Sequence, residues 1–318
     1  MFSWRGQKIL LTGGFGFLGR NMQETIAKLG IESITVFTPE HRAFDLTIAN
    51  AVKRVYERYK PTAVIHMAGL VGGIQANLDR PAEFFYNNLM MGAMLMHYAQ
   101  ESGMVEKFVA VGAGCGYPEQ APIPSIEEDF WEGYPQAPSA PYSLAKRMLI
   151  VQAQSLHRQH GFRAVVGIPG NIYGPHDNFN LNDAHVIPAL VRKFVDATLD
   201  DEPEVVVWGS GQATRDYVYA QDVCEGLLYI AEHYDTPEMV NLSTGEETSV
   251  AEVVYHLVRL TGYQGEVKWD KTKPEGQLRR CFSTAKAKAI GWTAKTGLAE
   301  GLERTVNWYT ENRETARR

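Results

Sequence analysis

The sequence predicts an α/β protein with a doubly wound parallel sheet and a smaller C-terminal lobe. Three observations lead to this prediction. The 318 residues, 45% hydrophobic and 21% charged, are enough for a large packed core. Short apolar runs alternate with segments long enough for helices, which is typical of parallel strands covered on both faces. A glycine cluster separates the first apolar run from the first helix.

The first unit along the chain is a strand, a tight turn and a helix. Residues 8–12 form a short apolar run, and residues 21–29 have helical spacing that ends before Gly30. Further apolar runs predict later strands of the same sheet at 33–37, 63–67, 107–111 and 164–168. The segments between these runs are long enough to hold a helix.

Three glycines occupy the turn of this first unit. Gly13, Gly16 and Gly19 form a G-x-x-G-x-x-G motif between strand and helix. Glycine allows unusual backbone dihedrals, close approach of N–H groups to a pyrophosphate, and tight contact between helix and strand. The motif therefore predicts a Rossmann-type turn that holds a dinucleotide, with an ordinary glycine-rich turn as the alternative.

The end of the second strand should decide between NAD and NADP. An acidic residue there would bind the ribose diol, whereas a basic residue would bind a 2′-phosphate. No acidic residue directly follows the run at 33–37, Arg42 lies close by, and Arg20 follows the glycines. We predict NADP, and Glu40 keeps NAD as the alternative.

The second half of the chain has a different residue composition and pattern. Residues 171–182 are rich in Asn, Gly, Pro and Asp, which favours loops. Beyond them the pattern predicts a helix at 187–198, a strand at 205–208, and helices at 222–233 and 298–312. We predict a dinucleotide-binding domain at 1–170, to which a segment near 212–243 returns, and a mainly substrate-binding lobe at 171–318.

Charge and hydropathy exclude several classes of partner. Lysine and arginine total 31 against 37 acidic residues, a net charge of −6 with no basic stripe, so nucleic acid is not expected. The longest apolar stretches are strand-sized, and the N-terminus lacks the apolar core of a signal peptide. We therefore expect no membrane association and a cytoplasmic location.

Cysteines and histidines show no metal or disulfide pattern. Cys115, Cys224 and Cys281 are too scattered for a disulfide framework or paired zinc ligands, and the last two are interpreted as packing residues. The nine histidines have no ligand spacing. No metal site is predicted.

A tyrosine and a lysine stand at the start of a predicted helix. The spacing of Tyr142 and Lys146, Y-x-x-x-K, puts the phenol and the ammonium on one helix face, one turn apart. A phenol with a pKa of about 10 exchanges protons poorly at neutral pH, and a nearby cation favours its phenolate. The pair is a candidate acid/base centre.

Several segments together resemble a known family. The glycine spacing and Y-x-x-x-K are similar to those of the extended short-chain dehydrogenase/reductases, and further segments resemble the GDP-L-fucose synthase family within them. These segments are 67–77, 115–118, 171–179, 185–190, 207–211, 273–276 and 291–292. The resemblance implies NADP(H)-dependent 3,5-epimerisation and 4-reduction of GDP-4-keto-6-deoxy-D-mannose.

The resemblance also implies roles for individual residues. Cys115 matches the family's base and His185 its acid, and both residue types exchange protons near neutral pH. Ala113 stands where the family has a Ser or Thr that hydrogen-bonds the substrate carbonyl. Three explanations stay open: an engineered inactive variant, reliance on Tyr142 alone, or loss of reduction with epimerisation retained.

The family pattern supplies the remaining candidates. The cofactor residues it implies are Gly13, Gly16, Phe17, Leu18, Gly19, Arg42, Asp45, Leu46, Ala68, Gly69, Asn88, Tyr142 and Lys146. The substrate residues are Asn171, Asn178, His185, Val186, Lys193, Trp208, Arg215 and Arg279. Asp45 could instead cap the following helix, and Arg215 could instead form an ion pair with Asp216 or Asp222.

Quaternary structure and two rival functions complete the expectations. The family often pairs through two helices per subunit, so a homodimer is expected, although the apolar residues at 90–96 and 148–151 could equally be core. One rival function is an epimerase, dehydratase or reductase acting on another GDP-sugar. The other is a non-catalytic binding protein, suggested by Ala113.

Overall fold

The computed structural model describes residues 2–31, 33–273 and 276–317. Pro274 and Glu275, which belong to the 273–276 segment, lie outside the described residues. The strands are β1 (Lys8–Thr12), β2 (Thr35–Phe37), β3 (Ala63–His66), β4 (Lys107–Val111), β5 (Ala164–Pro169), β6 (Asn171–Tyr173), β7 (Glu204–Trp208), β8 (Thr214–Tyr219), β9 (Met239–Leu242), β10 (Glu247–Ser249), β11 (Glu266–Asp270) and β12 (Arg279–Arg280). The helices are α1 (Phe17–Leu29), α2 (Ala49–Tyr59), α3 (Ile74–Asp79), α4 (Pro81–Glu101), α5 (Ala140–His160), α6 (Val186–Leu199), α7 (Ala220–His233), α8 (Val250–Thr261), α9 (Ala285–Ile290) and α10 (Leu298–Glu311).

The central sheet is parallel and has the strand order β2-β1-β3-β4-β5-β9. The order reverses between β1 and β3, and in open α/β sheets such a switch point is where ligands bind, beyond the carboxyl ends of the strands. The fold-class prediction of a Rossmann-type parallel sheet is confirmed.

Both faces of this sheet are covered. Leu10 of β1 belongs to the core formed with α2, α4 and α5, whereas Ile9 and Leu11 belong to the core formed with α1 and α7. Successive strand residues point to opposite faces, so the buried apolar run of β1 serves both cores. The chain returns to this sheet through α7 and β9, inside the segment near 212–243. The boundary at residue 170 stays a prediction.

A second lobe is built around β8. This strand pairs in parallel with β6 and β12 and antiparallel with β10, while β7 and β11 form a separate parallel pair. Helices α6, α8 and α10 contribute to its core, which includes Phe194, Leu257 and Leu302. The lobe thus has an apolar centre of its own.

Predicted and observed elements agree best where the helical pattern is long. The predicted helices at 187–198, 222–233 and 298–312 correspond to α6, α7 and α10 within two residues. Helix α1 begins four residues before the predicted 21–29 because the glycine motif itself enters the helix. Helix α8 was not predicted, although Ser249 accepts a hydrogen bond from the Glu252 N–H, a capping signal visible in the sequence.

Candidate active site

The glycine turn lies at the switch point of the sheet. Gly13 has φ +73°, and a Cβ added to it would lie 2.7 Å from the Ala68 nitrogen. Gly16 is the N-cap of α1 and has no side chain to fill the helix terminus. The first N–H groups of α1 are therefore accessible to an anion, and the turn fits the pyrophosphate of a dinucleotide.

The loop after β3 forms the other side of this cofactor region. The Asn88 amide accepts from the Leu70 N–H (3.1 Å) and donates to the carbonyls of Leu70 (3.0 Å) and Phe84 (2.7 Å). These bonds hold the loop that carries Gly69, beside which the Lys146 Nζ lies. Asn88, predicted as a cofactor residue, thus supports the loop through its side chain.

The remaining cofactor candidates lie around α1 and before α2. Phe17 and Leu18 are half-buried in the first turn of α1, and Arg42 is exposed in the loop after β2. The Asp45 carboxylate accepts from the Thr47 hydroxyl and N–H, and these bonds lower its pKa. Ile48 is the N-cap of α2, so Asp45 forms a turn before the helix rather than its cap.

Tyr142 and Lys146 share one face of α5. The Lys146 Nζ lies 6.0 Å from the Tyr142 ring centroid and donates to the Val111 carbonyl at 3.0 Å. Burial lowers the pKa of Lys146 to about 8, so it is largely an ammonium at neutral pH. Burial raises the pKa of Tyr142, and a negative charge on Cys115 raises it further. Burial therefore favours the protonated phenol, and the acid/base role of the pair stays a prediction.

A 3₁₀ turn at Gly114–Gly116 carries Cys115 next to this pair. Cys115 is half-buried, and its negative form would raise the pKa of Lys146 as well as that of Tyr142. Ala113, at the end of β4, is buried and offers no hydroxyl to this space. A thiolate at Cys115 thus lies close enough to raise the pKa of both the phenol and the ammonium.

His185 is the N-cap residue of α6. The carbonyls of the two preceding residues, Asp183 and Ala184, lie 3.7 and 4.0 Å from the position of a Cβ added to Gly73. The segment before His185 therefore meets the loop after β3. His185 is exposed, yet desolvation by the surrounding protein lowers the pKa of its imidazole.

Two arginines on neighbouring strands face each other. Arg280 of β12 pairs in register with Arg215 of β8, and each is buried enough to lower its pKa, with Arg280 lowering that of Arg215 further. Arg280 is also close enough to Cys115 for a thiolate to raise its pKa. Such a pair of guanidiniums suits a diphosphate.

Arg279 points to the side of β12 opposite to that of Arg280. Its guanidinium forms an ion pair with Glu247, which also accepts from the Thr214 hydroxyl at 2.7 Å. Alternation along a strand forces this result, because Arg279 and Arg280 must point to opposite sides. The ion pair engages Arg279 away from Arg215, so Arg280 is added as a substrate candidate and both roles stay predictions. The doublet was visible in the sequence, but the register with Arg215 was not.

Neither acidic neighbour forms the ion pair considered for Arg215. Asp216 accepts from the Thr244 hydroxyl and from backbone N–H groups, and Asp222 accepts from the backbone of Lys295 and Thr296. Asp216 thus fastens two loops to β8, and Asp222 fastens the 295–296 segment to α7.

Trp208 forms an exposed aromatic surface flanked by cations. The Lys193 and Lys273 ammonium groups lie 5.8 and 5.4 Å from its indole, and Lys193 donates to the Val206 carbonyl at 2.7 Å. An indole held in this way can stack on a flat ring.

Three further substrate candidates are Asn171, Asn178 and Val186. Asn171 opens β6, half-buried, and Val186 is exposed at the first position of α6. Asn178 accepts from the Asn180 N–H at 3.2 Å, so its oxygen shapes the loop before His185. The structure places these residues near the lobe junction without assigning them a ligand.

The described residues lack two further features. No group of three or more His, Cys, Asp and Glu side chains there could hold a metal ion. In the same part of the chain, none of the helices combines the length and apolarity needed to cross a bilayer.

A glycine turn at the switch point and a Tyr–Lys pair on a helix of the opposite layer define the class of dinucleotide-binding epimerases and dehydratases. Residues 9–243 match the NAD dependent epimerase/dehydratase family. The chain is 34% identical to GDP-L-fucose synthase 1 of Arabidopsis thaliana (97% and 94% of the two chains covered) and 32% identical to GDP-L-fucose synthase of Escherichia coli (98% and 99%). The chain belongs to the GDP-L-fucose synthase family.

Solved structures support the cofactor. A GDP-L-fucose synthetase from Naegleria fowleri bound to NADP superposes with a TM-score of 0.91 at 29% identity, covering 100% of this chain and 98% of the other. The predictions of an NADP-dependent epimerase/reductase and of NADP rather than NAD are confirmed by this relationship. The roles of the individual site residues stay predictions.

Proposed function

We propose that the protein catalyses 3,5-epimerisation and NADPH-dependent 4-reduction of a GDP-linked 4-keto-6-deoxy sugar. The observation that carries this proposal is that Cys115 lies close enough to Tyr142, Lys146 and Arg280 for a thiolate to raise their pKa values, while Arg215 lies in register with Arg280. A diphosphate bound by the arginines would bring its attached sugar to the thiol and the phenol.

The epimerisation uses the acidity that the C4 ketone confers on C3 and C5. The Cys115 thiolate takes the proton from one of these carbons, and the electron pair of the broken C–H bond moves toward the C4 oxygen as an enolate. The protonated form of His185 returns a proton to the opposite face of the same carbon, and the carbonyl re-forms. Lys146 and Tyr142 stabilise the developing charge on the oxygen.

Reduction needs a proton for the C4 oxygen. Tyr142 is protonated at neutral pH because burial raises its pKa, so it can donate this proton, and Lys146 stabilises the resulting phenolate. NADPH supplies two electrons and a hydrogen to the C4 carbon when bound. The glycine turn, the loop after β3 and Lys146 would hold it.

Incubation with GDP-4-keto-6-deoxymannose and NADPH in deuterated water tests the proposal. We expect loss of NADPH absorbance together with deuterium at C3 and C5 of the product, and loss of that deuterium in Cys115→Ala. Reduction without deuterium would contradict epimerisation. Neither reduction nor exchange, with GDP-sugar still bound, would favour the non-catalytic alternative.

Ala113 motivates a second candidate, an epimerase that has lost most of its reductase activity. Its buried methyl group stands where the family donates a hydrogen bond to the carbonyl. Deuterium at C3 and C5 without consumption of NADPH would identify this candidate.

The expected homodimer and cytoplasmic location belong to the same proposal. Helices α4 and α5 pack on each other, and they leave Phe85, Tyr86, Met148 and Val151 exposed, whereas Leu95 and Met96 are fully buried. The exposed set supports pairing of two copies through these helices. Sedimentation of the protein and of Val151→Glu tests this: a dimer that dissociates in the variant is expected.

A further inference from the structure

We infer that Ser143 and Arg147 are positioning residues that hold the Cys115 thiol in place for proton transfer. This inference rests on the proposed function, in which Cys115 is the base. The two residues follow Tyr142 and Lys146 by one position each, so α5 carries two pairs with the same spacing of four on adjacent faces.

The first contact is made by Ser143. Its side chain is fully buried, and its hydroxyl donates to the Cys115 carbonyl at 2.9 Å. The bond therefore ends on the main chain of the reactive residue itself. Ser143, which donates this bond, directly follows Tyr142 in the chain. The bond therefore links the main chain of Cys115 to the residue next to the phenol.

The second contact is made by Arg147, which is 6% exposed. Its Nε donates to the Gly116 carbonyl at 2.8 Å, and its Nη1 donates to the Gly133 carbonyl at 2.9 Å. The guanidinium also lies over the Phe130 ring, 5.2 Å from its centroid. One planar group thus binds the turn after Cys115 and fastens it to the 127–133 segment.

These contacts matter because glycine flanks the thiol on both sides. Gly114 and Gly116 offer no side chains that could restrict the turn, and glycine has the largest backbone freedom. A Cβ added to Gly114 would lie 2.7 Å from the Phe282 ring, so the turn is packed from that side too. The hydrogen bonds from α5 are what ties the turn to the helix that carries Tyr142. Misplacement by about 1 Å can cost about a hundredfold in rate.

Neither residue touches the reacting atoms in this arrangement. Within the described residues, the side-chain hydrogen bonds of both end on main-chain carbonyls of Cys115, Gly116 and Gly133, so they act through the turn that carries the thiol. A merely structural role would weaken NADPH binding, hydride transfer and proton exchange together. A positioning role for the thiol should affect proton exchange at C3 and C5 alone.

The test compares Ser143→Ala and Arg147→Met with Cys115→Ala. Matched controls on the same helix are Ser155→Ala, whose hydroxyl bonds the Val151 carbonyl, and the exposed Arg158→Met. Deuterium exchange at C3 and C5 is measured with the 4-keto sugar. Hydride transfer is measured in reverse, from GDP-L-fucose to NADP⁺, which needs no Cys115.

We expect exchange to fall about ten- to a hundredfold in Ser143→Ala and Arg147→Met, with reverse hydride transfer and NADPH affinity within about threefold of the original protein. Arg147→Lys, which keeps a donor for one carbonyl, should fall between. Unchanged exchange in both variants, while Cys115→Ala abolishes it, overturns the inference and leaves the proposed function standing. An equal loss of exchange, hydride transfer and NADPH binding also overturns it. Exchange that persists in Cys115→Ala instead refutes the proposed base.

Discussion

The Lys146 ammonium donates a 3.0 Å hydrogen bond to the main-chain carbonyl of Val111. Val111 is the last residue of β4, and the chain continues from it through Ala113 to Cys115. This bond therefore joins the helix that carries the phenol to the strand that leads to the thiol. It also holds the buried Lys146 ammonium beside Tyr142. Burial lowers the pKa of Lys146 to about 8.

Replacing Lys146 by Met should lower kcat for reduction by about 10²- to 10⁴-fold, because the phenolate formed on Tyr142 loses its cation. In the original protein, Lys146 is charged below its pKa of about 8, so the rate should fall as the pH rises through that value. Initial rates of NADPH consumption across pH check both effects. The exposed Lys53→Met is the control, and an unaltered kcat in Lys146→Met would refute the role.

Introducing a hydroxyl in Ala113→Ser should raise the rate of C4 reduction by about 10²- to 10³-fold, by analogy with single donors in oxyanion holes. Ala113 is buried at the end of β4, close to the turn that carries Cys115. Single-turnover rates of NADPH oxidation measure the gain, with the exposed Ala137→Ser as the control. No gain, with substrate still bound, would mean that the protein does not use this donor.

Arg280→Gln should raise the KM for the GDP-sugar and the Kd for GDP about ten- to a hundredfold, because a charge-assisted bond to a phosphate is lost. Arg279→Gln is the matched control, since its guanidinium is bound to Glu247 on the opposite face. Titration calorimetry with GDP measures the affinities. A larger loss in Arg279→Gln than in Arg280→Gln would contradict the assignment of the strand faces.

Gly13→Ala should weaken NADPH binding at least about tenfold, since its Cβ would lie 2.7 Å from the Ala68 nitrogen at a φ of +73°. Gly30→Ala is the control for the backbone strain alone. Gly30 has φ +58°, and an added Cβ would meet no atom within 4 Å. Quenching of protein fluorescence by NADPH gives both affinities, and equal losses would exclude the turn as the binding site.

Asp177→Asn should stabilise the protein above neutral pH. Burial raises the pKa of Asp177 to about 7 from 3.8, so the folded state binds a proton that the unfolded state releases, and stability falls as the pH rises between these values. One of its oxygens accepts from the Asn178 N–H at 2.7 Å, and asparagine can keep this bond. Within the described residues the other oxygen, Oδ2, has no hydrogen-bond partner.

Thermal unfolding at about pH 5 and about pH 8 measures this effect, and we expect a gain of at least about 1 kcal/mol at the higher pH and a smaller one at the lower. The exposed Asp201→Asn is the control. A gain that does not depend on pH would show that ionisation of Asp177 is not its cause.

Much of the central sheet could be predicted from sequence because its signals are local. The apolar run at β1, the glycine motif and the Tyr142–Lys146 spacing each lie within a few residues. The lobe around β8 was harder, since β6, β10 and β12 are two or three residues long and show no alternation of their own. Their identity depends on partners far away in the chain.

The site shows the same division. Cys115 and Tyr142 were predicted from motifs, but the face occupied by Arg280 depends on its register with Arg215. The raised pKa of Tyr142 could not be inferred from sequence, because spacing reveals the nearby cation and not the loss of water around the phenol. Asn88 likewise could not be recognised as a loop support before its bonds to Leu70 were known.

Strand β9 forms one edge of the central sheet. It pairs with β5 only after the chain has passed through β6, β7 and β8. During synthesis the edge of β5 therefore stays unpaired until about seventy further residues have been added and β9 leaves the ribosome. Over that interval the nascent chain exposes the unpaired edge of β5, which could pair with other nascent chains. We expect ribosome-stalled chains that end before residue 239 to depend on chaperones, and longer ones to become protease-resistant.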